Sequence, residues 1–142
     1  MADEDAEIRE TLEEYARAYC SKDLERLMDI FVPSDEISLI GTGADELCAG
    51  KDEVAAIFER NFRDATATRF EWGWRDIAVH GDTGVVAIAL RIHLDIGGES
   101  LVVPIRWTVV LTRTDIGWKW VHRNASSAAT AQDEGTAYPT NS

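Results

Sequence analysis

A pair of predicted strands between Leu101 and Ser126 constrains the fold of this chain more than any other stretch. From Leu101 to Thr112 the residues alternate with a period of two, which is the pattern of a pleated strand and not of a helix. A short polar turn follows at Thr114–Gly117, and a second strand begins after it. The same alternation predicts that one face of this second strand carries Trp118, Trp120, His122, Asn124 and Ser126. Such polar and aromatic residues on a closing hairpin indicate the polar end of an apolar pocket.

Helices are predicted before the sheet begins. Apolar residues recur at helical spacing over residues 5–20 and again over residues 51–62. Between them, a shorter helix capped by Ser21 or Asp23 is expected to run as far as Pro33. A small hairpin, residues 36–41 and 46–49, separates the second helix from the third.

The remaining strands complete the predicted architecture. From Ala67 the period changes to two, and Gly73 indicates a bulge or bend within a strand whose one face is expected to carry Phe70, Trp72 and Trp74. Another strand covers residues 85–96. The sequence therefore predicts an α+β fold of three N-terminal helices packed on a strongly curved, mostly antiparallel sheet, a cone with a pocket. Residues 1–126 are expected to form this domain, and residues 127–142 a flexible polar tail.

Charge and composition exclude several classes of partner and cofactor. The net charge of −12 argues against nucleic acid and against anionic membranes. No apolar run approaches the length of about 20 residues that spans a bilayer, and no secretory leader is apparent, so a cytoplasmic location is expected. Two cysteines are too few for a disulfide framework or a zinc site, and the three histidines lack ligand spacing. We therefore expect neither a metal nor a cofactor.

Arg91 and His93 are the clearest candidates for chemistry. They interrupt an apolar strand and share one face with Asp95, so His93 could act as a general base while Arg91 holds an anionic or carbonyl oxygen. The alternative is that this face is the outer, partly solvated one. His122 is a second candidate base, with an ordinary structural role as its alternative.

Other candidates would bind a ligand or would only pack. Tyr15 and Tyr19 lie one turn apart on the first helix, where a phenol could donate a hydrogen bond into the pocket or lie under the sheet. Trp72 and Trp107 could line the pocket, the core or a subunit interface. Arg123 could bind a ligand or form a surface ion pair. Because both faces of the long strands carry apolar groups, we expect a homodimer formed through the outer sheet face.

Two stretches resemble a known family. Residues 39–62, LIGTGADELCAGKDEVAAIFERNF, resemble the strand, turn, glycine and helix segment of SnoaL-like domains in the nuclear-transport-factor-2-like superfamily. Residues 103–126, VPIRWTVVLTRTDIGWKWVHRNAS, resemble their closing hairpin, which ends in a Trp-x-x-Val-His-x-His-x-Ser pattern. Asn124 stands here in place of the second histidine of that pattern, and a carboxamide cannot do acid–base work.

The resemblance leaves two functions open, since the superfamily holds both enzymes and non-catalytic members. The first is a dimeric binding or accessory domain that takes up a small, largely apolar molecule in its cone. The second is a cofactor-free lyase, isomerase or polyketide cyclase. That enzyme would use His93 or His122 as its base, with Tyr15 or Tyr19 as hydrogen-bond donor, because isomerase-type members carry a tyrosine on the first helix.

Overall fold

The computed structural model describes residues 3–139 and confirms the predicted α+β class. Its helices are α1 (Glu4–Cys20), α2 (Leu24–Met28) and α3 (Lys51–Asp64). Its strands are β1 (Ser38–Ile40), β2 (Leu47–Ala49), β3 (Thr66–His80), β4 (Thr83–Ile96), β5 (Glu99–Thr114) and β6 (Gly117–Ser126). One sheet contains all six strands in the order β2-β1-β6-β5-β4-β3. Every pairing in it is antiparallel except that of β1 with β6.

The helices cover one face of the sheet, here called the inner face. Local sequence sets the helix starts: the Asp3 side chain accepts the Asp5 N–H at 3.1 Å, and acidic residues fill the first turn of α1. Period-two alternation then decides which strand residues are buried beneath the helices. In β4 and β5 these are Val86, Ile88, Leu90, Ile105, Trp107, Val109 and Leu111.

The second helix is shorter than predicted. It ends at Met28, a turn follows at Asp29 and Ile30, and Phe31 then forms a parallel bridge with Trp120. Val32 N–H donates to the Trp120 carbonyl at 3.0 Å, and Trp120 N–H donates to the Ile30 carbonyl at 2.9 Å. These bonds tie the segment to the sheet and pair backbone groups that the helix would otherwise have used.

Two β-bulges change the predicted faces. In β3, Gly73 and Trp74 both lie opposite Ala89, so the bulge expected at Gly73 is confirmed. A Cβ on Gly73 would lie 3.2 Å from the Ala89 carbonyl oxygen, which favours glycine at this position. The prediction that Trp74 shares a face with Trp72 is wrong, because the bulge turns Trp74 outward, where 68% of its surface is exposed.

The second bulge lies in β6, where Trp120 pairs with Leu111 and His122 pairs with the adjacent Val110. Val121 is therefore the extra residue, and the alternation changes phase after it. The predicted common face of Trp118, Trp120, His122, Asn124 and Ser126 is wrong. Trp118 and Trp120 face inward, as do Arg123 and Ala125, whereas His122 and Asn124 face outward.

The segment after β6 is a loop as far as it is described. Within residues 127–139, Gln132 N–H donates to the Ala129 carbonyl at 3.2 Å, and the Gln132 side chain donates to the Thr136 carbonyl at 2.8 Å. Residues 140–142 of the predicted tail lie outside the described residues. Within the described part of the chain, no helix is long and apolar enough to cross a membrane.

Candidate functional site

The sheet separates the sequence-predicted site residues into two groups. The first group lies on the inner face, between the helices and the sheet, and comprises Tyr15, Tyr19, Trp72, Trp107 and Arg123. The second lies on the opposite, outer face and comprises Arg91, His93, His122 and Asn124. Only the first group forms a connected cluster, which we call the inner cluster.

Arg123 is the polar centre of the inner cluster. It is only 8% exposed, and its Nη1 donates to the Tyr15 hydroxyl at 2.9 Å. Its Nη2 reaches the Ile40 carbonyl at 3.5 Å, and its guanidinium carbon lies 5.4 Å from the centre of the Trp107 ring. Among residues 3–139, no carboxylate forms a salt bridge with Arg123. Neutral groups alone therefore contact this buried positive charge.

Two buried N–H groups of the cluster have no partner among the described residues. They are Nε of Arg123 and Nε1 of Trp107. A buried donor without an acceptor costs about 1–3 kcal/mol, so native structures contain few of them. One of these donors belongs to the guanidinium of Arg123, and the other to the ring on which that guanidinium packs.

Aromatic rings surround these donors. Tyr15 stacks on Trp120, with ring centres 4.9 Å apart. Tyr15 and Trp107 meet edge to face, also with ring centres 4.9 Å apart. Tyr15 also stacks on Tyr19 at 5.7 Å. Burial raises the pKa of both tyrosines, although the charge of Arg123 opposes the rise. Both phenols therefore remain neutral hydrogen-bonding groups near neutral pH.

The outer-face residues have their own partners. Nε2 of His93 lies 3.0 Å from Glu71 Oε1 on the neighbouring strand, and not against Asp95 along its own strand. That hydrogen bond lowers the pKa of the Glu71 carboxyl group. Nδ1 of His122 lies 2.7 Å from the Ser38 hydroxyl across the β1–β6 pair. His93 and His122 thus lie across the sheet from Tyr15, and the predicted combination of a pocket histidine with a helix tyrosine is not formed.

Comparison with known proteins now identifies the family. The family described as SnoaL-like domain matches residues 8–130, which is most of the chain. The chain belongs to the SnoaL-like domain family. No curated protein sequence matches it.

Solved structures place this SnoaL-like domain in a wider fold class. An NTF2-like protein of unknown function from Pseudomonas putida KT2440 is 21% identical, with 87% of this chain and 85% of that chain covered and a TM-score of 0.74. An NTF2-like protein with a cystatin-like fold from Novosphingobium aromaticivorans is 21% identical, with 94% and 84% covered and a TM-score of 0.72. A ketosteroid isomerase-like protein from Erwinia carotovora atroseptica is 20% identical, with 91% and 99% covered and a TM-score of 0.72. At these identities the likeness shows a shared fold, and the predicted resemblance is confirmed.

Sequence reasoning missed two rings of the SnoaL-like domain's inner cluster. Phe70 lies 6.0 Å from Tyr15 and 5.6 Å from Tyr19, and Phe58 lies 6.0 Å from Tyr15, all between ring centres. Their apolar periodicity marked them for burial, but nothing local showed that they pack on tyrosines. Within residues 3–139, no group of His, Cys, Asp or Glu is arranged to hold a metal ion.

Two cavities of the SnoaL-like domain lie outside the inner cluster, on opposite faces of the sheet. One of about 340 Å³ lies between α1 and the sheet, with Arg9, Glu13, Trp72 and Arg75 among its lining residues. The other, of about 750 Å³, adjoins strands β3 to β5 and the loop after β6, where Glu71, Arg91, Arg106 and Thr130 contribute to its wall. The exposed side chains of Arg91 and Arg106 give the larger cavity a charged rim, unlike the aromatic surroundings of Arg123.

Proposed function

We propose that this protein is a small-molecule-binding or accessory domain, with the inner cluster as its binding site and no chemistry of its own. One observation carries the proposal: the buried Arg123 and the Trp107 indole present two unpaired N–H groups among aromatic rings. Ligand sites of proteins combine a largely apolar lining with a few polar groups that fix orientation. The inner cluster has this composition.

The positions of the histidines support binding rather than acid–base catalysis. Such catalysis needs a base within hydrogen-bond reach of the reacting atom. His93 and His122 are on the outer face, and His80 is exposed at the end of β3. Tyr15 stays protonated because burial raises its pKa, so this phenol serves as a hydrogen-bonding group and not as a base.

A matched pair of tryptophan variants tests the binding site. Trp107 is on the inner face and Trp74 on the outer face, and each would be replaced by phenylalanine. Indole, benzamide and benzoate would be titrated into the full-length protein by calorimetry, and each compound recovered for mass spectrometry. We expect at least one probe to bind, Trp107→Phe to weaken its affinity about tenfold, Trp74→Phe to leave it unchanged, and the recovered compound to be unaltered.

Other results would contradict the proposal. Binding of none of the three probes would do so, as would equal binding by wild type and Trp107→Phe. Conversion of a recovered compound would show an enzyme instead.

We also propose that two copies associate through the outer face. Trp74 is 68% exposed and Val102 46% exposed there, and Ala87 and Ala89 contribute further apolar surface. An apolar patch on a sheet face is typical of a subunit contact, and isologous dimers are the commonest oligomers.

Sedimentation equilibrium tests the dimer. The wild type should sediment as a dimer, and Trp74→Glu should raise the dissociation constant at least tenfold, because a charge would be buried without a partner. Ile116→Glu, at a turn residue that is 79% exposed, should leave association unchanged. A monomeric wild type would contradict the dimer, and unchanged association of Trp74→Glu would contradict its placement on this face.

A further inference from the structure

We propose that the ligand of the inner cluster is a small aromatic or alicyclic carboxylic acid, whose carboxylate binds Arg123 and the Trp107 indole N–H. This inference rests on the proposed function and names the chemical class of its ligand. It follows from the charge of the site, from its unpaired donors and from the rings around them.

Among residues 3–139, no carboxylate neutralises the charge of Arg123. An arginine guanidinium stays protonated in proteins, and a buried charge is costly unless it is paired. Its partners are the Tyr15 hydroxyl and the Ile40 carbonyl, which are dipoles. A single negative charge at this position would complete an ion pair with the additional hydrogen bonds that such a pair needs inside a protein.

The acidic residues nearby are engaged elsewhere. The charge of Glu46 contributes to the raised pKa of Tyr19 and of Cys48. Its carboxylate pairs with Arg60, however, and accepts the Gly43 N–H at 2.9 Å. Asp45 also pairs with Arg60, at 2.9 Å. Among the residues that the structure describes, neither of these carboxylates pairs with Arg123. We therefore infer that the counterion of Arg123 is an external anion.

The unpaired donors suit a carboxylate in number. The contact between Arg123 and the Trp107 ring, at 5.4 Å, is a cation–π interaction that satisfies the face of the guanidinium but not its in-plane Nε–H. A carboxylate has two oxygens that accept up to about four hydrogen bonds. In the proposed complex it accepts from Arg123 Nε and Trp107 Nε1, whereas a neutral amide has one acceptor oxygen and would leave the charge unpaired.

The rest of the ligand is defined by the partly buried rings of the cluster. Tyr19, Phe62, Phe70 and Trp72 pack on the buried core but remain partly accessible to solvent. Tyr19 lies 5.3 Å from Phe62 and 5.6 Å from Phe70 between ring centres. In the proposed complex, the apolar body of the ligand lies against these rings. A flat ring bearing a carboxylate fits this arrangement.

Calorimetric titration of the full-length protein with benzoate and with benzamide tests the inference. The two probes share size and shape and differ in charge. Wild type should bind benzoate at least tenfold more tightly than benzamide, and Arg123→Met should reduce that preference to about one. Arg106→Met is the matched control, since Arg106 is an exposed arginine on the outer face beside the larger cavity. It should leave both affinities unchanged.

Each outcome separates the inference from the proposed function. Equal binding of benzoate and benzamide by wild type overturns the inference, and the binding function stands. A benzoate preference that survives in Arg123→Met, or is lost in Arg106→Met, also overturns it. Binding of neither probe overturns the inference, and failure of indole as well removes the binding function. If circular dichroism shows Arg123→Met unfolded, Arg123→Gln decides, because it removes the charge and keeps a polar side chain: loss of the preference supports the inference, and an intact preference overturns it.

Discussion

Trp120→Ala is expected to lower the free energy of unfolding by about 3–5 kcal/mol, which is typical of a buried tryptophan replaced by alanine. Trp120 is fully buried, stacks on Tyr15 and packs against Phe31 with ring centres 5.7 Å apart. Its indole Nε1 donates to the Thr11 hydroxyl at 2.9 Å, which ties β6 to α1. The substitution removes these contacts together and leaves a cavity beneath the first helix.

Urea unfolding followed by circular dichroism measures this loss. Ile116→Ala is the control, because this side chain is 79% exposed in the β5–β6 turn and its truncation should change stability by less than about 0.5 kcal/mol. A loss below about 1 kcal/mol for Trp120→Ala would mean that α1 is not packed on β6 as described.

The second large effect is a coupling between Tyr15 and Arg123. Tyr15→Phe deletes the acceptor of Arg123 Nη1 in a buried place, so it should lower stability by about 1–3 kcal/mol. Arg123→Met removes the charge itself, and replacement of a buried charge by an apolar side chain is often neutral or stabilising. In the double variant, Tyr15→Phe should then cost little, because no buried donor is left without its acceptor.

A double-mutant cycle of unfolding free energies measures this coupling. We expect an interaction energy of about 1–3 kcal/mol between the two positions. Additive effects would show that the buried guanidinium does not depend on the Tyr15 hydroxyl, and the description of the inner cluster would then be wrong.

Periodicity predicted the fold because the dominant elements are long and regular. Fourteen to sixteen residues of alternation in β4 and β5 predict which residues share a face, and Ile105, Trp107 and Val109 do lie together on the buried face. The alternation did not show which of the two faces the helices cover, because both carry apolar residues. The hydrophobic effect makes register costly to change in such strands, since a slip of one residue would exchange the two faces.

The faces of the site residues could not be predicted to the same degree, because one inserted residue reverses the alternation. At Gly73 the glycine indicates a bulge, but the alternation alone does not show that this bulge turns Trp74 outward. At Val121 no local residue marks the bulge, since valine is an ordinary strand former. Uninterrupted alternation therefore predicts His122 on a face where the structure has Arg123 instead. The Tyr15–Arg123 hydrogen bond joins residues 108 positions apart, so local sequence gives no sign of it.

Nuclear magnetic resonance of the Trp107 indole N–H and the Arg123 Nε–H tests the central claim most directly. Both resonances would be followed in full-length protein during addition of benzoate, with the Trp74 indole as internal reference. The account predicts that the Trp107 and Arg123 signals shift together and saturate along one binding curve, while the Trp74 signal stays in place. Signals from Trp107 and Arg123 that remain unchanged at saturating benzoate, or that move only with Trp74, would contradict an anion site on the inner face.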